Sequence, residues 1–185
     1  MRTRKTVLVT GILLLFGIFA AGMANAVSVG PAPDNMNEWV GKWFSYKVTQ
    51  KGIAYDGSNF MTGSTRESGF FQVLSWDDAA EQFQIQVYFM DDGEWQTDTQ
   101  TLNFYAGSYL NFLFFVENES EGYAFVALVK GKERNGGISG ASIKSYGGIV
   151  LGEDDGEYRA GTMTLSAKMV DQSKVKVPPD IIILP

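Results

Sequence analysis

The 185-residue chain contains no histidine and no cysteine, so the residues that most often move protons, hold transition metals or attack carbonyls are missing. Ser-His-Asp and Cys-His systems, Cys/His zinc sites, histidine-ligated haem and disulfides are excluded. Carboxylates, hydroxyls, lysine and arginine remain. The runs Glu153-Asp154-Asp155-Gly156-Glu157 and Asp91-Asp92-Gly93-Glu94 carry oxygen ligands of the kind calcium takes. Neither spaces them over twelve residues as an EF-hand does, and such runs are ordinarily solvated hairpin tips. Glycoside hydrolysis needs two carboxyl groups facing each other across about 5 to 9 Å, and no spacing here suggests that. Lys144 and Tyr146, in SIKSYGG, are candidates for base and acid, but Gly147-Gly148 more simply marks a bulge or bend. The expectation is a protein with no catalytic residues, no metal and no cofactor.

Binding is better served by the residue pattern. Phe83, Ile85, Val87 and Phe89 alternate with Gln84, Gln86 and Tyr88, giving one dry strand face and one mostly polar one. With Phe112, Phe114 and Phe125 they are candidates to line a cavity for a small apolar or amphiphilic ligand, although a filled core would show the same pattern. Arg159 shares parity with Met163, Leu165 and Met169, which would aim it inward near a mouth, toward a ligand carboxylate. The competing reading is a surface pair with Asp154 or Glu157.

The elements that must position these residues begin after a leader. Arg2, Arg4 and Lys5 precede an apolar run from Val7 to about Phe19, followed by Ala24-Asn25-Ala26. This is the pattern of a secretory signal peptide, so export and cleavage after Ala26 are expected, to the periplasm or the exterior. Removal of residues 1–26 takes those three cations and no acid, and the net charge moves from −6 to −9. A chain this acidic repels phosphate backbones, so nucleic acid is not an expected partner.

Residues 27–39 read as a leader with one helical turn, because Met36, Trp39 and Val40 fall on one face. From residue 40 to 171 the period is two. Eight strands are predicted, at 42–51, 66–76, 82–90, 94–105, 109–117, 122–130, 138–151 and 157–170, with a mobile loop over 52–65. Their short connections carry turn chemistry such as Asp91-Asp92-Gly93 and Asn135-Gly136, so neighbours should pair antiparallel. An up-and-down β-barrel of eight strands removes exposed edges; a two-sheet sandwich is the competitor. Strands five and six are apolar on both faces, which calls for a cover or a subunit contact, and a homodimer is one way to supply it. Strand four places Asp98 with Gln96, Gln100 and Leu102 on one face and threonines on the other, which argues against integration into a membrane. The tail 172–185 ends in Ile181-Ile182-Ile183-Leu184-Pro185; it either folds back as an added strand or docks a partner.

Gly41-Lys42-Trp43, after a helical turn and at the start of the first strand, resembles the opening Gly-x-Trp of the lipocalins and the wider calycin group. The resemblance implies an all-β, eight-stranded antiparallel up-and-down barrel with a ligand cup. It also implies that Gly41 and Trp43 build the barrel base, Trp43 packing across the closed end under a basic residue from the last strand, here Lys168. The expected function is therefore an exported, non-enzymatic protein that holds a small apolar or amphiphilic ligand. The alternative is a structural or interaction module with a filled core, acting through strands five and six or the tail.

Overall fold

The computed structural model describes residues 31–55, 58–118, 123–154 and 157–182. The proposed signal peptide, 1–26, lies outside the described residues. Eight strands follow in chain order: β1 (Trp43–Tyr55), β2 (Phe60–Asp77), β3 (Gln82–Asp91), β4 (Glu94–Ser108), β5 (Asn111–Asn118), β6 (Tyr123–Arg134), β7 (Gly137–Asp154) and β8 (Glu157–Val170). Each pairs antiparallel with the next, and β1 pairs with β8, so the eight strands close on themselves in up-and-down order. The ring rules out a two-sheet sandwich. Its turns are built as the sequence implied: Asp92 and Gly93 at φ 47° and 85°, and Asn135 and Gly136 at φ 55° and 75°, take the doubly left-handed form that matches strand twist.

The expected loop over 52–65 is instead a continuation of the first hairpin. Gly52 pairs with Gly63, Ile53 with Thr62, Ala54 with Met61 and Tyr55 with Phe60, while the other edge of β1 pairs with β8 as far as Tyr158. Ladder hydrogen bonds need no apolar alternation, and both faces of β2 are exposed here, so the period that betrays a strand is absent. Because β5 has 8 residues and β2 and β7 have 18 each, the ring is taller on its β7-β8-β1-β2 side and forms a lip there.

Among the register shifts that interrupt the ladders, three bear on the residues named above. A bulge between Val73 and Ser75 of β2 shifts its register against β3, so Val73 and Trp76 are both buried despite opposite parity. A second lies between Phe104 and Ala106 of β4. The third falls where β7 carries Ser145 and Gly147 opposite neighbouring residues of β6, beside the glycine pair read from sequence as a bulge.

The end of the ring at which β1 starts is shut by a 3-10 turn, Met36–Trp39. Trp39 stacks on Phe44 (6.4 Å between rings), meets Phe112 edge-on (5.5 Å) and donates from Nε1 to the Tyr109 carbonyl (3.0 Å). Gly41 reverses the chain at φ +79°, a conformation that favours glycine, and its N–H reaches the Val73 carbonyl (2.8 Å). Gly41 thus turns the chain at the shut end of the ring, while Trp43 does not lie across that end as the resemblance implies. Inward residues of β1 are Phe44, Tyr46 and Val48; Trp43 has the opposite parity, stacks on Tyr88 (5.4 Å), and belongs to a second, outer cluster. Trp39, not Trp43, packs across the closed end. Lys168 pairs with Ser45 and is exposed, and Val170 stands opposite Trp43.

The tail covers this outer cluster. Val175, Val177, Ile181 and Ile182 pack with Trp43, Phe70, Tyr88 and Trp95 of β1 to β4, through two short 3-10 turns, Gln172–Lys174 and Pro179–Ile181, rather than as an added strand. On β5 and β6 the outward Leu113, Phe115, Val126 and Leu128 are half-buried.

The two tryptophans separate cleanly in a substitution. Trp39 Nε1 has a carbonyl partner, while Trp43 Nε1 is buried without one among the described residues. A made hydrogen bond contributes about 1 kcal/mol and an unmade buried donor costs about 1–3 kcal/mol. Trp39→Phe should therefore destabilise more than Trp43→Phe, by about 1 kcal/mol or more, read from urea unfolding. An equal or reversed order would contradict this placement.

Candidate functional site

Aromatic residues occupy the lower half of the ring. Phe44 stacks on Phe71 at 4.8 Å, Trp76 meets Phe83 at 4.5 Å with its ring tilted by 52°, and Phe112 lies within about 6 Å of Phe83 and Phe104. The space left among them is about 20 Å³, little more than one water. Above them lies a cavity of about 210 Å³ opening toward the other end. That exceeds the roughly 150 Å³ that accepts a benzene ring and is below the roughly 300 Å³ where drug-sized sites begin.

The floor and walls of this cavity are apolar: Phe71, Ile85, Val87, Leu102, Phe114 and Phe125. Among the proposed lining residues, Ile85, Val87, Phe89, Phe114 and Phe125 do line it. Phe83 and Phe112 belong to the filled half below. Arg159 enters the β8 ladder opposite Ala54; its side chain lies outside the described residues.

Sequence reasoning missed the polar groups of the cavity. Tyr46 donates its phenol to Glu67. Gln100 Nε2 donates to Asp98 Oδ2 (3.1 Å) and to the Tyr123 hydroxyl (2.7 Å), and Gln50 Nε2 lies 3.8 Å from Met163 Sδ. Asp98 and Gln100 were legible in part, since they alternate with Leu102 on β4. Glu67 had no such signal, standing in a stretch of β2 without apolar alternation. Tyr46 needs Gly69 beside it: a Cβ there would lie 3.0 Å from the tyrosine ring and 2.1 Å from the Tyr88 carbonyl oxygen.

These groups form one electrostatic neighbourhood. Burial first, then the hydrogen bond to Glu67 and its charge, then Tyr123 and Asp98, raise the Tyr46 phenol far above its ordinary value. Among the described residues no group of three or more metal-ligating side chains is assembled.

The raised phenol has a measurable sign. An unfolded tyrosine ionises near pH 10, while Tyr46 in the fold keeps its proton, so the native chain binds more protons above that pH and stability falls as pH rises. Tyr46→Phe should lose stability less steeply above pH 10, by about 1.4 kcal/mol per pH unit, in alkaline unfolding titrations. Equal slopes would show that the phenol is not held.

Comparison of the chain with protein-family models finds no match, and a search of curated proteins finds no significant match.

Proposed function

We propose that this chain is an exported, non-enzymatic binding protein of lipocalin-like barrel type, which holds one small amphiphilic molecule in the open half of its ring. The observation that carries the reading is the unequal filling of the interior. Large aromatic side chains close one half to about 20 Å³ and leave about 210 Å³ in the other. A preformed concave site with an apolar wall and a few convergent polar groups is what small-molecule recognition uses. The polar groups are already paired with one another, Tyr46 with Glu67 and Gln100 with Asp98 and Tyr123, which holds them in place before a ligand arrives.

Export rests on the sequence of residues 1–26, with its cationic start, apolar stretch and Ala24-Asn25-Ala26. A water-facing rather than lipid-facing ring is supported by the outward residues of β8. Thr162, Thr164, Ser166 and Lys168 are all exposed, the reverse of the apolar band on a membrane barrel. Among the described residues no helix is long and apolar enough to cross a membrane.

Val87 is half-buried and lines the open cavity but not the filled half, so a larger side chain there takes up ligand space. Val87→Phe is expected to weaken 1-octanol binding at least tenfold by titration calorimetry and to leave the unfolding midpoint unchanged or raised. Undiminished binding by the variant, or none by the unaltered protein, would overturn the proposal.

A further inference from the structure

The polar end of the cavity is one-sided in charge. Glu67 and Asp98 bring carboxylates to it, Tyr46, Tyr123, Gln50 and Gln100 bring neutral dipoles, and among the described lining residues there is no lysine or arginine. The nearby cations of the first hairpin face away. On β1 the inward residues are Tyr46, Val48 and Gln50, so Lys47 and Lys51 lie on the outer face; Arg66 alternates with inward Glu67 on β2. The open end adds to the imbalance, with Asp91, Asp92 and Glu94 at the β3–β4 turn and Glu117 near the end of β5, all exposed.

We infer that the ligand is an organic cation, an alkyl- or arylalkyl-ammonium whose charged head sits between Glu67 and Asp98 and whose apolar part reaches down to Ile85, Leu102 and Phe114. This rests on reading the open half as a binding cavity and adds the sign and shape of what enters it. An ammonium brings three donors to carboxylate, phenol and amide oxygens that accept, and charge-assisted hydrogen bonds are the stronger kind. The rings of Tyr46 and Tyr123 offer π-faces, to which a cation is attracted. A carboxylate ligand would meet two like charges there. The length is also matched: a cavity of about 210 Å³ suits a single ring or a chain of about eight carbons by comparison with the benzene-sized case. The raised Tyr46 phenol is the internal sign of the same field, since part of its shift comes from the charges of Glu67 and Asp98.

Three probes of equal chain length separate the outcomes: octylammonium, 1-octanol and octanoate, each titrated into the unaltered full protein below its micellar concentration. Octylammonium is expected to bind at least tenfold tighter than octanol, with octanoate weakest, and its advantage should shrink with added salt. Glu67→Gln and Asp98→Asn, each checked for an unchanged fold by circular dichroism, should each remove most of that advantage and leave octanol affinity within about twofold. Octanol binding as tightly as octylammonium would overturn the cation and leave the cavity reading standing. Tightest binding of octanoate would also overturn it, and would favour Arg159 as the partner of an anionic ligand. Failure of all three to bind would overturn both.

Discussion

The pairing of β1 with β8 is the constraint on which the other features depend. The chain has no cysteine, so no covalent bond fixes its ends. Thirteen consecutive positions of β1, Trp43 to Tyr55, are matched on one side to β2 and on the other to β8. Closure leaves no strand at the end of a sheet, the position most open to pairing with another chain, and it bounds the interior. Close approach at the lip depends on small residues, since a side chain at Gly52 would lie 2.5 Å from the Ala160 carbonyl oxygen. Once the ring is closed, the side chains pointing inward decide whether it is a core or a container.

Here they decide both, at different heights. Trp39, Phe44, Trp76, Phe83, Phe104 and Phe112 are large and planar, and little space, about 20 Å³, is left at the shut end. Above them Phe89, Phe114 and Phe125 are interspersed with Val48, Ile85, Val87 and Leu165 and with polar side chains that hold one another at the wall. The outer face repeats the logic on a smaller scale. Trp43 and Tyr88 point outward and are buried among Phe70, Trp95, Val170 and the tail that returns over them. A second hydrophobic layer thus ties the end of the chain to β1 to β4 and supports the strands that carry Tyr46, Glu67 and Asp98.

Much of this was legible in the sequence, and the reasons for the exceptions are physical. All eight strands and the helical turn follow from alternation and from Asp-Gly and Asn-Gly turns, because those local preferences agree with the fold. The hairpin extension over 52–65 was hidden, because a strand solvated on both faces has no hydrophobic period. The burial of Trp76 was hidden by the bulge in β2, which no single-strand parity reveals. The resemblance implies Trp43 across the closed end, but the period of β1 alone does not say which face points in, and Phe44, one residue on, carries the inward position. Five of the seven hydrophobic lining candidates, Ile85, Val87, Phe89, Phe114 and Phe125, reach the cavity, since apolar parity places a residue inside but does not set its height. The polar lining groups were the least legible, because Glu67 and Asp98 sit 31 residues apart and only ring closure and strand stagger bring them to one space.

The central claim is that the upper half of the ring, and no other part of the molecule, takes up a small amphiphile. Methyl resonances report on it directly, because the two halves and the tail each carry their own: Ile85, Val87 and Met163 line the cavity alone, Val73, Val129 and Ile143 line the filled half, and Val175, Val177 and Ile181 belong to the outer cluster. On titration with octylammonium or 1-octanol, the first group is expected to shift and saturate together at one equivalent, with the other two groups nearly still. Shifts confined to the tail residues, or none anywhere, would contradict the account.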